Sequence, residues 1–216
     1  NYYILSRFSK GLIYILIGIF FQDLSNESKS NFLSISSNSS LLIFFISLIS
    51  SAISIYFIYA GYTDITISTS LASNESLPEN FNRPFLKTNL IDFWKAWNMS
   101  VTRWVTGVIY MPSFVFLNRR FPDQAKQLSS LTVFITIGLW HGISLNWFLW
   151  GLHQGIGWVL TDASINKKKS KKIKKVHTKK SLFLKFLGFI SVLFWFSLGQ
   201  FYVIYGVENI NTLLNN

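Results

Sequence analysis

The sequence predicts an all-α, multi-pass transmembrane protein with interfacial amphipathic helices, and three observations carry the prediction. Only 13% of its 216 residues are charged while 50% are hydrophobic, whereas soluble domains carry about 25% charged residues. Mean hydropathy is +0.35, and Leu41–Tyr62 and Leu131–Leu160 contain no Lys, Arg, Asp or Glu, each long enough for the ~20 residues that cross a bilayer. Eight Trp, nine Tyr and 21 Phe suit a chain lying at membrane–water boundaries. The lack of cysteine excludes disulfides, thiolate nucleophiles and Cys-based metal sites.

The elements follow in order. Gly11–Phe21, behind Arg7 and Lys10, is too short to span alone and is expected to be interfacial or the tail of a truncated helix. The Ser/Asn-rich Gln22–Ser40 reads as an exposed loop. Leu41–Tyr62 is a spanning helix, its serines compatible with helix packing. Thr63–Leu90, interrupted by Pro78 and Pro84, reads as loop. Ile91–Tyr110 reads as one amphipathic helix: Trp94, Trp97, Val101, Trp104, Val105 and Val108 share an arc of about 100°, with Asn98 at its edge. Met111–Gln127, with Pro112, Arg119, Arg120 and Pro122, is expected to be loop or interface segment. Leu131–Leu160 would be about 45 Å long as one helix, against a ~30 Å hydrocarbon core. It must tilt or break, and the polar cluster His141, Gly142, Ser144, Asn146 marks the break. Leu182–Tyr205 is the last spanning candidate.

The net charge of +11 is concentrated in one place. Nine lysines lie between Lys167 and Lys180, and without them the net charge falls from +11 to +2. The Lys-rich loop 163–180 is therefore predicted cytoplasmic and attractive to anionic lipid, not a nucleic-acid face. The chain is taken as a single membrane domain, 1–216. It opens on Asn1 rather than Met, inside a basic-apolar segment without a signal peptide, and is expected to be a fragment of a longer chain.

Few residues are left to carry chemistry. His177 sits in the lysine run and reads as solvated. His141 and His153 lie in the uncharged stretch, where an ionisable group is costly. His141 is either functional or a neutral imidazole bonded between helices; for His153 the interhelical bond is the preferred reading. Asn98 is a polar amide on an apolar arc and needs a hydrogen-bond partner. Asp64, just past Tyr62, reads as a capping or interface residue before a catalytic acid, and Arg83 as a loop anchor. No phosphate loop, dinucleotide fingerprint, metal-ligand spacing or Gly-X-Ser-X-Gly elbow occurs.

Three blocks resemble the membrane-bound O-acyltransferase family, in the bacterial branch of alginate O-acetyltransferases and D-alanine transfer proteins. They are Tyr59-Ala60-Gly61-Tyr62-Thr63-Asp64-Ile65; Leu77–Phe85 leading into Ile91-Asp92-Phe93-Trp94-Lys95-Ala96-Trp97-Asn98-Met99-Ser100; and Gly138-Leu139-Trp140-His141-Gly142 followed by Trp150-Gly151. The resemblance implies the C-terminal portion of that family's fold, with several more spanning helices before it. It places His141 at the catalytic histidine and Asn98 where the bacterial branch usually has a second histidine, a departure shared with eukaryotic relatives. Both are catalytic candidates; Trp140, Trp94, Trp97, Arg83 and Asp64 are substrate-binding candidates. No bound cofactor or metal is implied. The donor would be acyl-CoA or an acyl-carrier thioester, and the acceptor a hydroxyl of an exported polysaccharide, with teichoic acid D-alanylation second. A periplasmic or extracellular accessory protein, the lipid bilayer and location in the cell (inner) membrane complete the expectation. The competing class is a non-enzymatic membrane protein, a transporter piece or an inactive fragment whose His141 and Asn98 only hold helices together.

Overall fold

The computed structural model describes residues 2–34, 40–170 and 179–207. They form two compact units: the described residues up to Asn82 together with those from Ile204 onward, and Arg83–Val203. The described residues are almost wholly helical and contain no strand.

In the first unit, α1 (Tyr2–Ser34) and α2 (Ser40–Ala72) run antiparallel, each 33 residues long. Both are long and apolar enough to span a membrane, as is Leu182–Ile204 further on. Of the two readings of Gly11–Phe21, an interfacial run or the tail of a helix, the structure supports the helical one and extends it on both sides to Tyr2 and Ser34. Arg7 and Lys10 do not end the helix, because both are neutralised by distant residues: Arg7 meets Asp64 at 2.8 Å and Glu79 at 2.6 Å, and Lys10 meets Asp64 at 2.8 Å. Gln22–Ser34, expected as loop, is likewise helical. Ser and Asn favour loops when their side chains compete for their own backbone, but Ser25 donates to Ser47 O (2.9 Å) and Lys29 to Ile204 O (2.6 Å). Residues 35–39 of the expected loop lie outside the described residues.

A seven-residue repeat of small residues packs the pair. Gly11, Gly18 and Ser25 on α1 face Gly61, Ser54 and Ser47 on α2, all buried. Ser54 donates to Gly18 O at 2.8 Å, and a Cβ on Gly61 would stand 2.6 Å from Gly11 O. Small residues at this spacing let helix backbones approach closely, the usual device of membrane helices. Helix α2 also runs ten residues past Tyr62, into the expected loop. Thr63, Thr66 and Thr69 satisfy their hydroxyls on the carbonyls four residues back, so polar residues continue the helix.

The second unit begins at Arg83, whose left-handed backbone (φ 48°) opens a 3₁₀ turn, Pro84–Leu86. Then come α3 (Leu90–Ala96), α4 (Met99–Val105), a π-turn (Thr106–Tyr110), α5 (Met111–Asn118), α6 (Ala125–His141), α7 (Leu145–Ser170) and α8 (Lys179–Ile204), whose last residue belongs to the first unit. The single amphipathic helix expected at Ile91–Tyr110 is thus broken. Asn98 takes φ 41°, ψ 59°, a left-handed conformation that Asn tolerates better than most residues. Thr102 Oγ1 donates to the carbonyls of Trp94 (3.2 Å) and Trp97 (3.1 Å), satisfying groups left by the break. Met111–Asn118, expected as loop or interface segment, is helical, with Pro112 in its first turn, where no N–H is required.

The break expected in Leu131–Leu160 is present: α6 ends at His141 and α7 starts at Leu145. The two helices pack as an antiparallel hairpin through Gly138, Gly151 and Gly155. Helix α7 continues through 163–170, held by the bonds Ser164 Oγ to Leu160 O and Asn166 Nδ2 to Asp162 Oδ2. The expected Lys-rich loop is therefore shorter than 163–180, and 171–178 lie outside the described residues. The core of this unit is aromatic: Phe93, fully buried, lies 5.0 Å from Phe196 and 5.5 Å from both Phe85 and Trp97.

Candidate functional site

The α6–α7 turn presents His141. Gly142 ends α6 by donating to Gly138 O (3.3 Å), and Ser144 starts α7 by accepting from the Trp147 N–H (3.4 Å). The chain thereby reverses within three residues and returns Trp147 and Trp150 to the histidine. The Trp147 indole stacks on the imidazole at 5.0 Å (30°), Trp150 meets it edge-on at 5.7 Å (89°), and Trp140 flanks it at 5.2 Å. His141 is exposed on its remaining side. Among the described residues no carboxylate bonds to it. The nearest ion pair on this hairpin, Lys126–Asp162 at 2.5 Å, lies at its other end, ~22 Å away along α6.

A cavity of about 280 Å³ adjoins this hairpin, walled by Trp94, Val105, Tyr110, Phe134, Ile137 and Trp158 among others. Its hydroxyls face the backbone: Thr102 donates to Trp94 O and Trp97 O, Thr106 to Thr102 O, and Ser130 to Lys126 O. What remains is largely hydrocarbon and ring surface, the other polar groups of the lining residues being those of Lys95 and Tyr110 and the indole N–H groups of Trp94 and Trp158. On α6, Ser130, Phe134 and Ile137 line the cavity. His141 continues the same stripe one turn further, about 20° from the direction of Ser130.

A model of the membrane-bound O-acyltransferase family matches residues 3–200. The chain belongs to the membrane-bound O-acyltransferase family. It is 30% identical over 120 residues to a teichoic acid D-alanyltransferase of Streptococcus thermophilus, covering 54% of this chain and 29% of that protein. It is 29% identical over 150 residues to a peptidoglycan O-acetyltransferase of Helicobacter pylori (68% and 28%). To a probable alginate O-acetylase of Pseudomonas aeruginosa it is 29% identical over 111 residues (51% and 21%). The chain thus spans less than a third of the length of these curated relatives.

Within this membrane-bound O-acyltransferase chain the candidates separate. Trp94, Trp97, Asn98, Trp140, His141 and Arg83 lie in the second unit, Asp64 in the first. Asp64 is 4% exposed inside α2 and holds both Arg7 and Lys10, the geometry of an interface residue. Arg83 is exposed at the 3₁₀ turn. Trp94 packs on Trp150 at 6.2 Å and Trp97 at 6.4 Å, so rings connect the His141 turn to the residue before Asn98. No hydrogen bond joins Asn98 to His141. The Asn98 carbonyl accepts from Thr102 N (3.0 Å), and its side chain makes no capping bond. The wheel that set Asn98 among the tryptophans assumed unbroken 100° steps, and the left-handed residue re-aims it. His153 is bonded between helices as preferred, its Nε2 3.1 Å from Trp195 O and its ring stacked on Trp195 at 4.4 Å.

Sequence reasoning missed the cavity and the stacking of Trp147. The first depends on a π-turn, which no hydrophobic pattern announces; such turns gather at functional sites. The second had a signal: tryptophans six and nine residues after His141, beyond a Gly/Ser turn.

Proposed function

We propose that this chain carries the histidine end of an acyltransferase site, moving an acyl group, acetyl first, from a thioester to a hydroxyl of an exported polysaccharide or cell-envelope polymer. The observation that carries this reading is His141 at the α6–α7 turn, ringed by three indoles, aligned with a cavity-lining stripe and bonded to no carboxylate among the described residues. As free base, His141 accepts the acceptor's hydroxyl proton while that oxygen bonds to the thioester carbonyl carbon. The resulting oxyanion collapses, the carbon–sulfur bond breaks, and the leaving thiolate takes the proton from the imidazolium, giving ester and thiol. Asn98, whose amide is not used as a helix cap, donates to the oxyanion rather than orienting the imidazole. Trp94, Trp97, Trp140 and Arg83 position substrate.

The donor is acyl-CoA or a carrier-bound thioester, reached from the cytoplasmic side where the lysine run lies, and the acceptor is met across the cell membrane with an accessory protein. Transfer of D-alanine to teichoic acid is the second reading, supported by the named activity of the Streptococcus thermophilus relative. The test is transfer of a radiolabelled acyl group by the protein in membranes. His141→Ala should abolish it, and activity close to the parent's would refute the assignment.

A further inference from the structure

A buried polar seam between α7 and α8 is unused by the proposed chemistry. Gln154 is 0% exposed, yet neither its Nε2 nor its Oε1 has a hydrogen-bond partner; one helical turn on, the buried Nε1 of Trp195 also lacks one. Buried groups of this kind are costly when left unmade and are normally satisfied by protein or ordered water. Two glycines make room for them. A Cβ on Gly199 would collide with Gln154 Nε2, and a Cβ on Gly157 with Trp195 Nε1. Both clefts belong to one interface, since the ring of His153 stacks on Trp195 while the neighbouring Gln154 reaches Gly199.

The chemistry of the seam restricts its occupant. Residues 145–161 of α7 and 186–204 of α8 include no Lys, Arg, Asp or Glu, so neither helix offers a counter-charge to an ion there. The unfilled groups are three N–H donors and one carbonyl, so the occupant must accept and also donate. It must also be small enough to be enclosed with a side chain that has no exposure. We propose that Gln154 and Trp195 bind an enclosed water, held between α7 and α8 by the amide and the indole N–H. The two glycine clefts lie close along the seam, since Gly157 stands three residues, ~4.5 Å of rise, from Gln154 on α7. The site keeps α7 fixed beneath His141, because Trp150, one turn before Gln154, packs against the imidazole.

The experiment uses the protein in detergent with ¹⁵N-glutamine, which labels five side chains: Gln22, Gln124, Gln127, Gln154 and Gln200. The Gln154 amide is assigned by its loss in Gln154→Leu, or in Gln154→Asn if the leucine variant does not fold. A cross-relaxation peak between that amide and water, with the sign of a long-lived bound molecule, is expected. Gln154→Leu should lower the melting temperature by a few degrees, because it evicts the water and leaves Trp195 Nε1 unpaired. Absence of the water peak overturns the proposal whatever the stability. So does a rise in melting temperature in Gln154→Leu, the result expected of a dry, unsatisfied amide.

Discussion

Gly142→Ala tests whether the α6–α7 turn positions the histidine. Gly142 has φ 178° and ψ 137°, an extended backbone open to alanine, so the substitution acts through its added methyl alone. That Cβ would stand 2.6 Å from Cδ1 and 2.8 Å from Nε1 of Trp147, where ordinary contact begins at 3.4 Å. The indole must therefore retreat by about 0.8 Å. It stacks on His141 at 5.0 Å and meets Trp150 at 5.8 Å, so the displacement reaches the imidazole directly. Overpacking of this kind costs ~1–3 kcal/mol in stability, and a misplacement approaching 1 Å costs on the order of 10²-fold in rate. The assay is steady-state acyl transfer, with kcat expected to fall by about that factor and KM changing less. His141 ring-proton shifts, which the indole's ring current governs, give a readout independent of turnover. Parental kcat together with unchanged His141 shifts would refute the reasoning.

Two further outcomes follow from the first unit. Gly61→Ala forces a methyl against the Gly11 carbonyl and should destabilise the α1–α2 pair by ~1–2 kcal/mol, the overpacking cost less the helix-propensity gain; Gly107→Ala, with nothing within 4 Å, should be neutral or stabilising, and hydrogen exchange in α1 and α2 distinguishes them. The Arg7 guanidinium holds the Glu79 carboxyl below its usual value of 4.5, so its contribution to stability is full above pH 4.5 and is lost as pH falls through the lower folded-state value; exchange of the 73–82 loop should accelerate over that window in the parent and be pH-independent in Glu79→Gln once intrinsic exchange is corrected for.

What the sequence made legible is what local arithmetic controls. A 30-residue uncharged run is too long for one straight span, and its polar cluster is where the helix breaks. Leu41–Tyr62 and Leu182–Tyr205 were readable as spans for the same reason. What it hid depends on partners far along the chain. Arg7 and Lys10 look like a boundary until Asp64 and Glu79 neutralise them, and Ser25 looks like loop until it meets Ser47. The Ile91–Tyr110 wheel failed because one left-handed residue invalidates every angle after it. For the site, His141 was legible from its block, but its indole surroundings were not, because a three-residue reversal decides which tryptophans return to it.

The small-residue repeat has a consequence for register. Because it recurs every seven residues on both α1 and α2, sliding one helix by seven, ~10.5 Å, sets small residues against small residues again. The stripe therefore fixes how closely the helices approach but discriminates poorly between alternative alignments. The discrimination falls to features that do not repeat: Asp64 between Arg7 and Lys10 at one end, and towards the other Lys29 of α1 and Ser47 of α2 tied to one segment, at Ile204 O (2.6 Å) and the Tyr205 hydroxyl (2.7 Å). A slipped pair would leave those charges unmatched in a membrane helix, where that is most costly. The buried aspartate thus acts as an alignment key, selecting one register from a ladder of near-equivalent ones.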